Sequence, residues 1–278
     1  MKADPAASDY RARIDRLIDY VESTPEERPS LERLAEIAGF PAVHLRRIFL
    51  AITGEPLGTV VARARGAADV RAEGAGPRGD EAPRRDSARA AEPQPALHDP
   101  ADLSRIAADR AWQVELVDLP QTDVVSVRVD DAGNRVEELL GVYVELLEWL
   151  TANGVDEERI GLIGISHDDP QLREPERGGF EWIASPVPDA PRPPWIETRR
   201  EPSLTAARIL VLGSLHDEDL AWQYLYRVWL PESGVQPAPA PAREIYRRLP
   251  HLDGWRTYDL WCALPVAGRP DPPEEPDG

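Results

Sequence analysis

Two stretches of this chain repeat each other at a fixed distance. Trp149, Leu150, Gly154 and Val155 return as Trp229, Leu230, Gly234 and Val235, an offset of 80 residues, and Arg128 returns as Arg208 at the same offset. A repeat of that length holds a whole supersecondary unit. In the first copy VELVDLP and DVVSVRV alternate or cluster as strands do. RVEELLGVYVELLEWLTANGV then sets Val136, Leu139, Leu140, Tyr143, Leu147 and Leu150 at helical spacing, with Gly154 as the stop. IGLIGIS is a strand, DDP a turn and FEWIASPV a further strand. The second copy follows suit: WIETRREP and LTAARILVLGS as strands, DLAWQYLYRVWL as a helix and YDLWCAL as the last strand. Two β-α-β-β halves are expected to join their sheets about a pseudo-two-fold axis with the helices behind, and a ligand cleft belongs between the halves.

The chemistry concentrates in the second copy, between Trp229 and Pro250. Pro231 and Gly234 break a helical segment, a Pro/Ala spacer follows, and Glu244, Ile245 and Tyr246 come before the turn at Pro250. If Arg243 to Arg247 is extended, residues two apart share a face, so a carboxylate and a phenol point the same way. A carboxylate inside a folded domain must be paired or solvated, and aromatic neighbours suit it to receiving a cation. The plain alternative is an edge strand with an exposed glutamate. Aromatics able to supply the walls are Trp182, Tyr143, Trp222, Tyr226 and Trp261; several of these serve the core instead. Trp149 and Trp229, at equivalent repeat positions, read as structural.

Upstream, residues 9–23 form an expected helix through Ile14, Leu17, Ile18 and Val21. Ser30 is placed to cap LERLAEIAG, with Gly39 ending it, and PAVHLRRIFLAITG follows as a second helix stopped by Gly54. Ala35 followed four residues later by Gly39 is the spacing of a helix-turn-helix, although an ordinary helical hairpin has the same outline. Gly66 to about Pro100 mix both charge signs with Ala, Gly and Pro and almost no large apolar side chain, so the stretch up to 111 is assigned as a disordered linker. The expected divisions are therefore 1–65 for the helical arm, 66–111 for the linker, 112–267 for the duplicated domain and 268–278 for a disordered tail.

Charge separates these parts. Residues 1–65 carry ten basic and ten acidic side chains, whereas 112–268 carry 14 basic and 27 acidic, −13 of the chain's net −18. An acidic body repels nucleic acid and favours cationic small molecules, leaving only the arm to approach DNA. The single cysteine, Cys262, rules out an intrachain disulfide or a cysteine zinc site and fits a reducing cytoplasm. MKADPAASDYRAR lacks a signal-peptide core, and no apolar run approaches the ~18 residues of a membrane span.

The arm resembles the AraC family of transcription regulators in Leu31, Leu34, Ala35, Ala38, Gly39, Phe40, Leu45, Arg47, Phe49, Gly54 and Arg65. That family joins two helix-turn-helix units by a long helix. Here the joining helix corresponds to VVARAR and the second unit is missing. Ala42 and Val43, near the base-facing positions, cannot hydrogen-bond to base edges. The resemblance leaves His44, Arg46 and Arg47 as DNA contacts, with Arg47 at a family position that is often structural. Such a half-module binds DNA weakly unless it forms a homodimer.

The duplicated region, roughly Val114 to Pro265, resembles the GyrI-like effector-binding domain, also described as the SOUL or multidrug-regulator ligand fold. The resemblance rests on the Asp168–Asp169–Pro170 turn, a helix ending WLPESG, and the Glu-x-Tyr of Glu244 and Tyr246. It implies an α+β fold and a pocket in which Glu244 and Tyr246 receive bulky cationic or amphipathic compounds. GSLHDEDLAW stands where the family has a His-x-Gly turn, so Asp217 and Glu218 make the mouth of the pocket more acidic.

No metal-ligand spacing, nucleophile elbow, P-loop or dinucleotide fingerprint is present, and no cofactor or metal is expected. SHDD at Ser166 to Asp169 reads as a polar turn. Two functions remain: a ligand-responsive transcription regulator, or a GyrI-like hydrolase or sequestering protein that detoxifies reactive small molecules, with Glu244 as the catalytic group and a vestigial arm.

Overall fold

Apolar spacing, capped ends and strand alternation all reappear as elements in the computed structural model, which describes residues 5–73, 97–130, 135–167 and 179–267. The Asp168–Asp169–Pro170 turn, residues 74–96 of the expected linker and the tail from 268 lie outside the described residues.

The arm is helical: α1 (Pro5–Ser23), α2 (Leu31–Ala38), α3 (Ala42–Thr53) and α4 (Leu57–Glu73). The Ser30 hydroxyl accepts from the Arg33 amide and so caps α2, satisfying one of the amides a helix start leaves open. Gly39 ends α2 at φ 68°, a left-handed conformation in which a side chain is strained. The joining helix continues past Arg65 to Glu73.

The described parts of residues 66–111 are not the structureless linker expected. Pro100–Asp109 form α5, capped by Asp99, whose carboxylate accepts from the Ala101 amide. Its Leu103 is fully buried against Leu220 and Val228. The stretch looks polar in sequence because a short helix needs only this one narrow stripe to dock on a neighbour.

The remaining elements form an antiparallel sheet with helices on one face, an α+β architecture. They are β1 (Glu115–Leu119), β2 (Thr122–Asp130), α6 (Val136–Ala152), β3 (Gly161–Ser166), β4 (Gly179–Ser185), β5 (Glu197–Glu201), β6 (Leu204–Gly213), α7 (Leu215–Tyr224), α8 (Leu230–Ser233), β7 (Arg243–Tyr246) and β8 (Tyr258–Val266). A π-helical turn, Leu225–Trp229, joins α7 to α8, and the Leu230 amide reaches back to the Leu225 carbonyl. Pro231 follows at once; its missing N–H removes a regular helix bond there.

The sheet has eight strands in the order β1-β6-β8-β7-β3-β4-β2-β5. Reading outwards from the middle, β3, β4 and β2 mirror β7, β8 and β6, and each half is completed by the strand that precedes the other half in sequence. The two halves meet where β3 pairs with β7, through Leu162↔Tyr246, Ile163↔Ile245 and Gly164↔Glu244. Gly164 and Glu244 are also equivalent under the 80-residue offset, so the pseudo-two-fold axis passes between them. One core lies between the sheet and its helices, around Tyr143, Leu146, Leu150, Trp182, Leu225 and Leu260. A second joins the arm to the second half, packing Tyr10, Ile14, Leu45 and Phe49 with Tyr226, Leu230, Val235 and Leu264.

Candidate functional site

Glu244 stands on the axis of the duplicated sheet because of two local choices. β7 is extended, so Glu244 and Tyr246 share the face that carries the helices, and the Tyr246 hydroxyl donates to Glu244 Oε2 at 2.6 Å. The space comes from the equivalent position of the other half. A Cβ on Gly164 would lie 2.6 Å from Phe180 Cζ and 2.9 Å from Glu244 Oε2, closer than nonbonded atoms approach. The duplication thus carries a carboxylate on one side of its axis and, on the other, the gap that accommodates it.

A second acid meets the first. Glu218 sits in the first turn of α7, which Ser214 and Asp217 close as a capping box. Glu218 is buried, accepts from Trp222 Nε1 at 3.2 Å and hydrogen-bonds Glu244. Two buried carboxyls in contact cannot both be ionised without cost, so they hold a proton between them. Burial, reinforced by the charge of Glu244, pushes Glu218 well above the usual carboxylate range. Burial also raises Glu244, opposed by hydrogen bonds with Tyr246 and Glu218 and by the charge of Arg47.

Rings wall the acid pair on the side of the first half. Trp182 lies 5.9 Å from Tyr246, 5.1 Å from Tyr143 and 4.7 Å from Phe180, between ring centroids. Its indole N–H is satisfied by the Leu139 carbonyl at 3.1 Å. Trp255 closes on Tyr143 at 4.9 Å from a backbone held at φ 61°, a conformation that is unusual for a bulky residue and clusters at binding sites. The Tyr143 hydroxyl meets His251 Nδ1 at 2.6 Å, and His251 Nε2 lies 2.8 Å from Glu157.

Of the residues singled out in sequence, Glu244, Tyr246, Trp182 and Tyr143 come together here. Trp222 joins through Glu218. Tyr226 turns towards the arm, its hydroxyl 2.9 Å from His44 Nδ1. Trp261 is on the opposite face of the sheet, paired with Leu210 and Ile245 and covered by the Arg208 guanidinium at 3.8 Å. It lines a separate cavity of about 310 Å³ with Arg110, Trp112, Leu210, Leu212 and Asp217. Phe180 and Trp255 were not anticipated. Phe180 could have been found, being two residues from Trp182 on the same strand face; Trp255 follows from no periodicity.

Two of the three residues expected at DNA, His44 and Arg47, face the duplicated domain instead. His44 is buried, with Nε2 3.0 Å from the Ala238 carbonyl. A carbonyl only accepts, so Nε2 carries the proton and Nδ1 receives the Tyr226 hydroxyl. Burial, then the charge of Arg47, lowers the imidazole to about 4. Arg47 lies over the Trp222 and Tyr226 rings at 5.6 and 5.7 Å, and Arg46 is half-buried. In this arrangement His44 has no route to a base edge.

A sequence family described as the GyrI-like small molecule binding domain matches residues 113–264. The chain belongs to this GyrI-like family. The match covers both halves of the duplicated sheet and contains the acid pair with its aromatic wall. Solved structures that resemble the chain include the C-terminal domain of EcmrR, at TM-score 0.43 and 18% identity over 56% of this chain and 98% of that one. EcmrR in its complex with DNA is similar at TM-score 0.44 and 15% identity, over 85% and 82% of the two chains. SAV2435 bound to tetraphenylphosphonium is similar at TM-score 0.38 and 13% identity, over 56% and 94%. No curated protein matches the chain in sequence. Among the described residues no helix is long and apolar enough to cross a membrane, and no group of His, Cys, Asp and Glu is arranged to hold a metal ion.

Proposed function

We propose that the chain is a ligand-responsive transcription regulator whose GyrI-like domain takes up bulky cationic or amphipathic molecules at Glu244, and whose N-terminal helices are an AraC-type helix-turn-helix arm. The observation that carries this reading is the setting of Glu244. Its hydrogen-bond partners are a phenol and a second carboxyl; Phe180 meets it at the Gly164 gap, Trp182 packs on the phenol, and Tyr143 lies behind Trp182. Burial among rings penalises a carboxylate, and a cation brought against it restores the charged form, while ring faces attract the same cation. The arm contributes the capped α2, the Gly39 turn and α3, the outline of a helix-turn-helix.

The test is calorimetric titration of the full-length protein with tetraphenylphosphonium, an aromatic monocation without hydrogen-bond donors. Glu244→Gln keeps shape and removes charge, and it is expected to weaken binding by about tenfold or more, equivalent to ~1.4 kcal/mol. Unchanged affinity in this variant refutes the reading of the site. For the arm, binding to a specific duplex no tighter than to random DNA refutes the regulator assignment.

The shared proton of Glu218 and Glu244 favours one other reading: an acid beside a base is the equipment of a hydrolase acting on reactive small molecules. In that case Glu244→Gln abolishes hydrolysis while substrate binding survives.

A further inference from the structure

The arm docks on the GyrI-like domain by the face of α3 that includes His44 and Arg47. These residues are three apart and project from one side of the helix. His44 is anchored at both ring nitrogens, by Tyr226 and by the Ala238 carbonyl. Tyr10 adds a hydrogen bond to the Val235 carbonyl at 2.6 Å and Arg13 one to Gln236 Oε1 at 2.6 Å. This docking fixes where Arg47 stands. Its guanidinium lies 5.6 Å from the Trp222 ring centroid, and the indole N–H of that same tryptophan donates to Glu218 Oε1 at 3.2 Å. Glu218 in turn is bonded to Glu244. A short relay therefore runs from the arm to the axis of the sheet. The charge of Arg47 acts on three groups there, Glu218, Glu244 and Cys262, favouring the ionised form of each.

We propose that Arg47 is a resident cation of the Glu218–Glu244 site, so that the docked arm and a cationic ligand compete electrostatically for the same acid pair. The inference rests on the reading of Glu244 as the ligand carboxylate. A positive charge held near the pair already supplies part of the compensation that a ligand cation brings, and the two cations repel each other. Linkage makes the effect reciprocal: whatever docking subtracts from cation affinity, the bound cation subtracts from docking. A cation arriving at Glu244 therefore loosens the face of α3 that the docked state covers. A neutral ligand of similar shape lacks this effect, so Arg47 makes the response selective for charge.

The experiment compares full-length wild type, Arg47→Gln, Arg47→Lys and Glu244→Gln by titration with tetraphenylphosphonium and with neutral triphenylphosphine oxide. Arg47→Gln is expected to bind the phosphonium roughly tenfold more tightly, within the usual range of coupling between sites, and the phosphine oxide unchanged. Arg47→Lys, which keeps the charge, returns to the wild-type value. Amide hydrogen exchange in α3 is expected to speed up when wild type is saturated with the phosphonium. His44→Gln, which retains the Arg47 side chain but weakens the docking that holds it beside the acid pair, serves as the second variant and is expected to raise phosphonium affinity as well. Equal phosphonium affinity for wild type, Arg47→Gln and His44→Gln, with binding lost in Glu244→Gln, overturns the proposal and leaves the ligand site standing. Wild-type affinity in Glu244→Gln overturns both.

Discussion

At pH 7 the His44 imidazole is neutral, and protonating it in place removes an acceptor from Tyr226 and adds a charge where burial and Arg47 oppose it. The unfolded imidazole titrates at 6.5 and the folded one at about 4. Because the folded value is depressed, the unfolded chain takes up the proton first. The stability His44 contributes is complete above pH 6.5 and drains away as pH falls towards 4. Each pH unit between the two values is worth ~1.4 kcal/mol, so the loss amounts to about 3 kcal/mol over the window. Glu218 and Glu244 work in the opposite direction. Their folded values are raised, so the folded chain binds more protons than the unfolded chain over mildly acidic pH, and stability rises there as pH falls. The wild-type profile alone is therefore a mixture, and the variant His44→Asn separates it. Urea unfolding of both proteins at pH 7.0, 6.0, 5.0 and 4.5 is the assay. The variant is expected to be less stable at pH 7 by ~1–3 kcal/mol, the cost of leaving a buried partner unsatisfied, and the gap to wild type should close or reverse by pH 4.5. Parallel profiles would refute the burial and tautomer assigned to His44.

Other substitutions probe the rest of the sheet. Gly164→Ala places a methyl against Phe180 and Glu244; overpacking of this kind costs ~1–3 kcal/mol, read as a lowered urea midpoint together with weaker phosphonium binding. An unchanged midpoint would mean the close approach at the axis is relieved cheaply. On the opposite face, Glu181 is buried and accepts from Arg199 and from His167, the latter at 3.2 Å. Burial alone would raise its carboxyl, but these hydrogen bonds outweigh that and hold it at about 2 against an ordinary 4.5. Its contribution is present above pH 4.5 and lost as pH falls towards 2. Glu181→Gln is expected to lower stability at pH 7 by ~2–3 kcal/mol, with the difference from wild type shrinking below pH 4.5.

Most of the architecture was legible before the structure, because it follows from periodicity. The 80-residue offset identified two equivalent halves, strand alternation put Glu244 and Tyr246 on one face, and the helical stripe through Tyr143 and Leu147 marked α6. Period alone fails where both faces are apolar. In β8 the run Leu260, Trp261, Cys262, Ala263, Leu264 alternates nothing, so only the register with β6 and β7 shows that Cys262 faces the acid pair and Trp261 the far side. Nor does composition reveal which polar residues are buried. In sequence Glu218 is placed only at an acidic mouth of the pocket, and His44 as a DNA contact on a helix surface. Both are enclosed because segments distant in sequence cover them, α3 over Tyr226 and α7 over β7. Sequence by itself determined the local conformations and the symmetry, which depend on neighbours along the chain. The tertiary structure decided which carboxyls share a proton and which cation stands beside them, because electrostatic environment is set by whatever packs nearby, at any separation in sequence.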